Sequence, residues 1–493
     1  MHSQEMAPVT VPREVMAMMA EMIPVEDRNN LARVSKSWFE VVMPHIWREP
    51  EWKVINQPLD QLSALLDKYG EYVRVLPLSD NVGLERIQLL LSKCPRLYRI
   101  CFYGTRELWT SISSLVPCKS IESAEFFFIG DINSETLEPL AMFSRLTELS
   151  LTYDSSEYIN QALKLIPENQ LRSFSALQIT QLQTDTLDLI HSRFPLLEVL
   201  QVQCGSIEET AYVTLDKPMP RLHTMEIDVL LFKNNGSCLA LNGANFPRLR
   251  SLLIDLHVTR TAGFCCLLSG TWPRLASLSL FRLNTSNNEQ FNKEQFPILQ
   301  SLQLQVYQPF TSETLALLLT DFPRLENVEL NKFDMADDLF DLPTPLSIPS
   351  SYSIKNFSVT SNHKPLGKNY LSFMIKHMCG MREWILPKLI EVDDPTQCSC
   401  EEATKCDTTE KPVCQVEQLV QWLIKHEVPE LLPNLERILV DASATSIPLV
   451  HYLAQSCQNL NYLFINILND DLDLDELHQA FDNINPKLTV KIE

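Results

Sequence analysis

One pattern recurs along most of this 493-residue chain and restricts what it can fold into. An aromatic or small residue is followed by proline, any residue, then Leu-x-x-Leu-x-Leu. Copies include CPRLYRICF (Cys94 to Phe102), FPLLEVLQV (Phe194 to Val202), MPRLHTMEI (Met219 to Ile227), WPRLASLSL (Trp272 to Leu280) and LPNLERILV (Leu432 to Val440). Weaker copies without the proline start at Val73, Ile121, Leu146, Leu171, Ile354, Met381 and Leu460. The first apolar positions Val73, Leu97, Ile121, Leu146, Leu171, Leu197, Leu222, Leu249, Leu275, Leu299, Leu325, Ile354 and Met381 follow one another at 24 to 29 residues. A period of this length signals one supersecondary unit that buries its apolar face only by stacking on its neighbours.

The last two apolar positions of each motif are two apart, which on a strand places them on one side and the residues between them on the other. Helix-spaced stretches follow, such as SETLEPLAMF (Ser134 to Phe143), TDTLDLIHSRF (Thr184 to Phe194) and SETLALLLTDF (Ser312 to Phe322). Their apolar residues at i, i+3 and i+4 form a stripe that faces the strand layer. The proline after the aromatic stops each helix and redirects the chain into the next strand. Cys265-Cys266 fall in one such apolar stretch and are expected to be helical and buried.

These residues resemble a leucine-rich-repeat array of the longer, helix-bearing type. The resemblance implies an α/β fold, a curved solenoid with a parallel inner sheet over residues 71–493. The family's ninth-position Asn or Cys is absent; Thr105, Asp154, Gly205, Leu230, His257, Leu283, Tyr307 and Phe333 stand there. The period breaks at about 390–416, an acidic segment read as a solvated insertion. It carries Cys398, Cys400, Cys406 and Cys414: four thiolates could hold zinc, but structural sites typically space the first pair by two to four residues, and the alternative is a loop with incidental cysteines. LDLDELHQAF and KLTVKI (Lys487 to Ile492) read as a capping helix and an edge strand.

Before the repeats, residues 8–50 read as three short helices, with 51–70 a linking helix. Pro12 and Glu14 suit a first helical turn; Val15, Met18, Met19 and Met22 make the apolar stripe, and Pro24 ends it. Leu31 and Val34 serve the second helix, and Val41-Val42 a third that Pro44 closes. Three helices in about forty residues make a very small core, which favours docking on a partner. The segment resembles the F-box, through Pro12-x-Glu14-Val15, Met19, Ile23, Asp27, Leu31 and Val34-Ser35-Lys36-x-Trp38. Departures are Val11, where Leu is usual, and Arg28, where an apolar residue is commoner. The resemblance implies binding to the Skp-type adaptor and cullin of an SCF-type ubiquitin ligase through Pro12, Glu14, Val15, Met19, Ile23, Leu31, Val34 and Trp38. F-box/leucine-rich-repeat proteins of fungi and animals are substrate receptors, holding a protein client for ubiquitination. The alternatives are a non-degradative scaffold on the same adaptor, and a repeat regulator of an enzyme or small GTPase whose N-terminal helices only cap the array.

Composition narrows the function classes. Sixty-two acids against 41 bases give a net charge of −21, which repels phosphate backbones, so nucleic acid is not expected. Eleven glycines leave little material for a phosphate-cradling loop, and no G-x-S-x-G, Walker-type or G-x-G-x-x-G motif occurs. His426-Glu427 lacks the second histidine of a zinc-protease helix, and His377 and His451 lie in ordinary apolar surroundings. No enzyme activity and no cofactor are expected. Thirteen cysteines, mostly single, read as reduced thiols. The sequence has no secretory signal and no run of 18 apolar residues, so a cytoplasmic or nuclear protein without a membrane span is expected.

Function is then expected on the outward sheet positions. Among them Glu148, Gln201, Gln203, Glu226 and Asp228, then Asp255, Phe281, Gln303, Gln305 and Glu329, form the expected client surface, with five acids against the one arginine, Arg99. Such a surface suits a basic or amide-rich protein segment, and added salt should weaken its electrostatic part.

Overall fold

The computed structural model describes residues 11–207, 212–215, 218–232, 238–258, 265–283, 293–306, 321–322, 324–333, 354–361, 383–386, 435–442, 452, 454–455, 457, 459–467 and 488–492. The chain divides into two compact units, residues 1–208 and 209–493.

The first unit begins with α1 (Arg13–Met22), α2 (Val25–Ala32) and α3 (Lys36–Ile46). Pro12 and Pro24 precede the first two helices, and Ser35 caps the third by accepting from the Trp38 amide at 3.2 Å. Pro44 does not close α3 as expected: it lies inside the helix, which runs on to Ile46. So near the C-terminus a proline removes one hydrogen bond, and the Trp47 amide still reaches the Met43 carbonyl at 3.0 Å. Arg28 has a role that the residue pattern did not suggest. Its Nε donates to the Ile23 carbonyl at 3.1 Å, and a second guanidinium nitrogen to the Glu21 carbonyl at 3.4 Å. It thereby satisfies carbonyls that the end of α1 leaves open. Arg28→Ala should destabilise the head by about 1 kcal/mol, and Arg28→Leu no less, measured as increased amide exchange at the end of α1.

After α4 (Trp52–Ile55) and α5 (Leu59–Tyr69) come six strands: β1 (Val75–Ser79), β2 (Arg99–Thr105), β3 (Ser123–Ile129), β4 (Glu148–Thr152), β5 (Ser173–Leu182) and β6 (Val199–Ile207). They pair in chain order, all parallel. Helices α6 (Leu84–Lys93), α7 (Arg106–Ile112), α8 (Ser134–Leu137), α9 (Ser156–Leu165) and α10 (Thr184–Arg193) fill the returns. Ser134 to Phe143, expected as one helix, is α8 followed by a 3₁₀ stretch, because Pro139 follows so closely.

The periodic leucines line the interior. Val73, Leu97, Ile121, Leu146, Leu171 and Leu197 are fully buried, and so are Cys94, Phe143 and Phe194, which stand where the motif asks for an aromatic or small residue. At about 1.5–3 kcal/mol for each buried large apolar side chain, a repeat contributes enough to order its strand and return. A shared carbonyl begins each strand. The Arg74 carbonyl accepts from Tyr98 and Arg99, that of Tyr98 from Glu122 and Ser123, and that of Glu122 from Thr147 and Glu148. This ladder starts earlier than the repeat motif: the Arg48 carbonyl accepts from Arg74 at 2.9 Å and Val75 at 3.0 Å. Trp47, buried, stacks on Tyr69 at 4.8 Å, and Leu62 and Leu66 of α5 are buried. Residues 51–70, read as a linker, are therefore built into the array as the return of a unit that begins at the end of α3.

β5 carries a bulge between Ala176 and Ile179, with Gln178 at φ 60°. Opposite lies Gly205, where an added Cβ would stand 2.6 Å from the Thr180 carbonyl oxygen. Gly205→Ala should therefore lower the melting temperature of this unit, by more than Ser206→Ala, which removes only a hydroxyl that donates to the same Thr180 carbonyl at 3.2 Å.

In the second unit the main sheet runs through β8 (Thr224–Phe232), β10 (Ser251–Val258), β12 (Ser277–Leu283), β13 (Ser301–Val306), β14 (Asn327–Phe333) and β15 (Asn356–Ser361). It continues through β16 (Glu383–Leu386), β17 (Arg437–Ala442), β18 (Tyr462–Ile467) and β19 (Thr489–Ile492). Every pair is parallel. Leu222, Leu249, Leu275, Leu299, Leu325, Ile354, Leu435 and Leu460 are buried at the motif's first position. β16 pairs directly with β17.

Among the described residues, three returns here differ from the helical expectation. β7 (Tyr212–Leu215), β9 (Cys238–Asn242) and β11 (Cys265–Ser269) form a second, three-stranded parallel sheet. Cys265 and Cys266 thus lie on a strand, not on a helix. The segments YVTL, CLALN and CCLLS are four or five residues long, and a helix so short is marginal, while pairing with the equivalent segment one repeat on satisfies their backbone. The insertion at 390–416 with its four cysteines, His377, His426, His451, Ser312–Thr320 and LDLDELHQAF lie outside the described residues.

Candidate interaction surfaces

The three N-terminal helices share a core of Met16, Ala20, Ala32, Val41 and Val42, with Ala17, Leu31, Trp38 and Ile46 packed against it. The stripe Val15, Met18, Met19 and Met22 does not face this core. These residues are exposed by 43, 64, 44 and 83%, and Val34 by 67%. The two periodic sets of α1 sit on different sides: Met16 and Ala20 pack into the core with α3, and Val15, Met18, Met19 and Met22 turn to solvent. Of the eight residues expected at an adaptor surface, Pro12, Glu14, Val15, Met19 and Val34 are exposed; Ile23, Leu31 and Trp38 are half-buried, the last two against the core. Val11 and Phe39 are exposed as well, as are Met18 and Met22 of the same α1 stripe, which the motif comparison did not single out. An exposed apolar stripe along one helix is uncommon on a chain that makes no contacts there.

On the sheet face of the first unit the register aligns outward side chains in rows. Cys101, Glu125 and Ser150 form one row, Tyr103, Phe127 and Thr152 another. Glu125 joins the rows: its carboxylate accepts from the Tyr103 hydroxyl at 2.7 Å and from the Arg99 guanidinium at 3.3 Å. The bond to Glu125 holds the Tyr103 phenol protonated, pushed up to about 12. Glu148 is exposed, Gln201 accepts from the Ser175 hydroxyl at 2.6 Å, and Gln203 is half-buried. Glu125 and Phe127 escaped the sequence reading because their repeat lacks the proline; the 24-residue period alone would have found them.

On the main sheet of the second unit Glu226, Asp228, Asp255 and Phe281 are half-buried. Gln303 accepts from the Ser279 hydroxyl at 3.3 Å and donates to Glu329 at 2.8 Å, and Asn356 donates to Asn327 at 2.6 Å. Gln303, Asn327, Glu329 and Asn356, with Ser301 and Ser358, line a recess of about 250 Å³. Gln305 departs from the expectation: it is buried, so it offers no contact surface.

Cys94, Cys101, Cys118, Cys204 and Cys457 are free thiols. Burial pushes Cys94 and Cys457 up to about 12 and Cys101 to about 11, from an ordinary 9.0. Above pH 9 these thiols ionise in the unfolded chain before they do in the folded one. Stability is therefore unaffected below pH 9 and falls as pH rises towards 12. Urea unfolding at pH 8 and pH 10.5 should show this drop, and Cys94→Ala should reduce it. Among the described residues no group of His, Cys, Asp and Glu is placed to hold a metal ion, and no helix is long and apolar enough to cross a membrane.

The repeated strand-and-return units make this a leucine-rich-repeat fold. No family model and no curated protein matches the chain. It is similar, at 14% identity and a TM-score of 0.26, to a chain in the crystal structure of the Rad7–Elc1 complex of yeast, over 97% of this chain and 86% of that one. It is also similar to the leucine-rich-repeat protein LegL7 of Legionella pneumophila, at 14% identity and a TM-score of 0.27, over 53% of this chain and 84% of that one.

Proposed function

We propose that this protein is a non-enzymatic substrate receptor of an SCF-type ubiquitin ligase. Its N-terminal helices dock a Skp-type adaptor, and through it a cullin, while the outward sheet positions hold a protein client. The observation that carries the reading is the solvent-facing apolar stripe of α1, continued by Val34, on a three-helix head whose residue order resembles the F-box. A head with so small a core gains from covering that face, and a charged adaptor surface would leave the methionines uncovered.

The subunit supplies effective concentration, not chemistry. A client held on the sheet face of a chain anchored through its head meets the ubiquitin-charged enzyme as an intramolecular neighbour. Within the first unit the join is stiff, because the Arg48 carbonyl at the end of α3 already belongs to the strand ladder. The test is size-exclusion chromatography of the full chain with a purified Skp-type adaptor and its cullin. Co-elution at micromolar concentrations is expected, and separate elution rejects the receptor reading. Co-elution without any change in client abundance on loss of the protein would favour the non-degradative scaffold.

A further inference from the structure

The sheet face of the first unit exposes a stacked pair of aromatic rings. Tyr103 on β2 and Phe127 on β3 are register partners with ring centroids 6.0 Å apart and planes at 29°. Tyr103 is 41% exposed, and Ile129, two residues beyond Phe127, is 53% exposed. Glu125, two residues before Phe127 and on the same side of the strand, fixes the Tyr103 hydroxyl at 2.7 Å. Tyr103, its hydroxyl held by Glu125 and its ring open to water beside the half-buried Phe127, has the make-up of a binding hot spot.

The charges around the rings select the partner. Arg99, whose guanidinium is already bonded to Glu125, is the sole Lys or Arg at an outward position of β1 to β6. Glu148 on β4 is exposed and makes no ion pair among the described residues. Phe127 is in register with Thr152, and Glu148 lies four residues before Thr152. Along a strand that separation is about 13 Å, the distance that four residues of an extended peptide cover. We propose that this face binds an extended segment of a partner protein carrying two arginines four residues apart, one stacked on Phe127 and Tyr103 beside Glu125, the other paired with Glu148. Arginine fits better than lysine, since its planar, weakly hydrated guanidinium stacks on rings and pairs with carboxylates. An acidic or phosphorylated segment would face the uncompensated Glu148, an Arg99 already neutralised by Glu125, and a chain of net charge −21.

That the segment belongs to a client rests on the receptor reading; the binding chemistry does not, and its test needs no adaptor. Fluorescence anisotropy with the full chain would compare three labelled twelve-residue Ser/Gly peptides: arginines four apart, arginines adjacent, and glutamates four apart. The spaced arginine peptide should bind about fivefold more tightly than the adjacent one, and the glutamate peptide should not bind. Glu148→Gln and Tyr103→Ser should each reduce that preference to less than about twofold, while Glu107→Gln, an acid on α7 away from the face, should leave it intact. Equal binding of both arginine peptides, equal loss on Glu107→Gln, or binding of the glutamate peptide overturns the proposal, as does no binding of the spaced peptide at millimolar concentration. Failure of adaptor capture alone would reject the receptor reading and leave this site standing.

Discussion

Replacing Val15 and Met19 together by aspartate should abolish capture of a Skp-type adaptor, weakening it by about a hundredfold or more, while the melting temperature of the full chain changes little. Both side chains point to solvent, 43 and 44% exposed, so the folded protein alone loses little when they become charged. In a complex the same two carboxylates would be buried against apolar surface with no counter-charge. A hundredfold loss corresponds to about 2.7 kcal/mol, well within what two buried, unpaired charges cost. The pairing of residues matters here. Trp38→Ala tests the same surface poorly, because Trp38 packs against the core of the head and its loss would destabilise the helices as well. Titration of an adaptor labelled for fluorescence onto wild type and variant would settle the matter. Undiminished binding by a folded double variant would mean that the open face of α1 is not the docking surface.

The largest effect on stability is expected from Trp109→Ala. The indole is 1% exposed and its Nε1 donates to the Thr136 carbonyl at 2.9 Å, tying α7 to α8. It meets Phe102 and Phe126 edge-on at 5.2 and 4.9 Å, and Phe126 in turn contacts Phe143. Truncation leaves a cavity at the centre of this cluster and orphans the carbonyl, which together cost about 3–5 kcal/mol, or about 10 °C in melting temperature. Trp109→Phe should recover part of that by refilling the space without the hydrogen bond. Since each repeat touches only its neighbours, amide protection should fall from α6 to β4 and stay high at β6. Uniform loss along the whole unit would show that its repeats fold as one cooperative block.

The two kinds of substitution separate what is local in this chain from what is not. The sequence by itself determined the strand period and the buried set: Leu97, Leu171, Leu249, Leu299 and Leu460 sit at equivalent places because stacking is the one way such a repeat hides its apolar face. It also determined the three N-terminal helices, whose starts at Pro12, Pro24 and Ser35 are written in residues that cannot continue, or that cap, a helix. Other features arise only from contacts between repeats or between helices. Whether a short apolar return becomes a helix or a strand depends on the neighbouring return, which is why Cys265 to Ser269 pairs with Cys238 to Asn242. Periodicity finds a stripe but not its side, so the direction of Met18 and Met22 was fixed only when Met16 and Ala20 packed on α3. The Tyr103–Glu125–Arg99 cluster spans two repeats, and side chains 22 and 26 residues apart meet only once the strands lie in register.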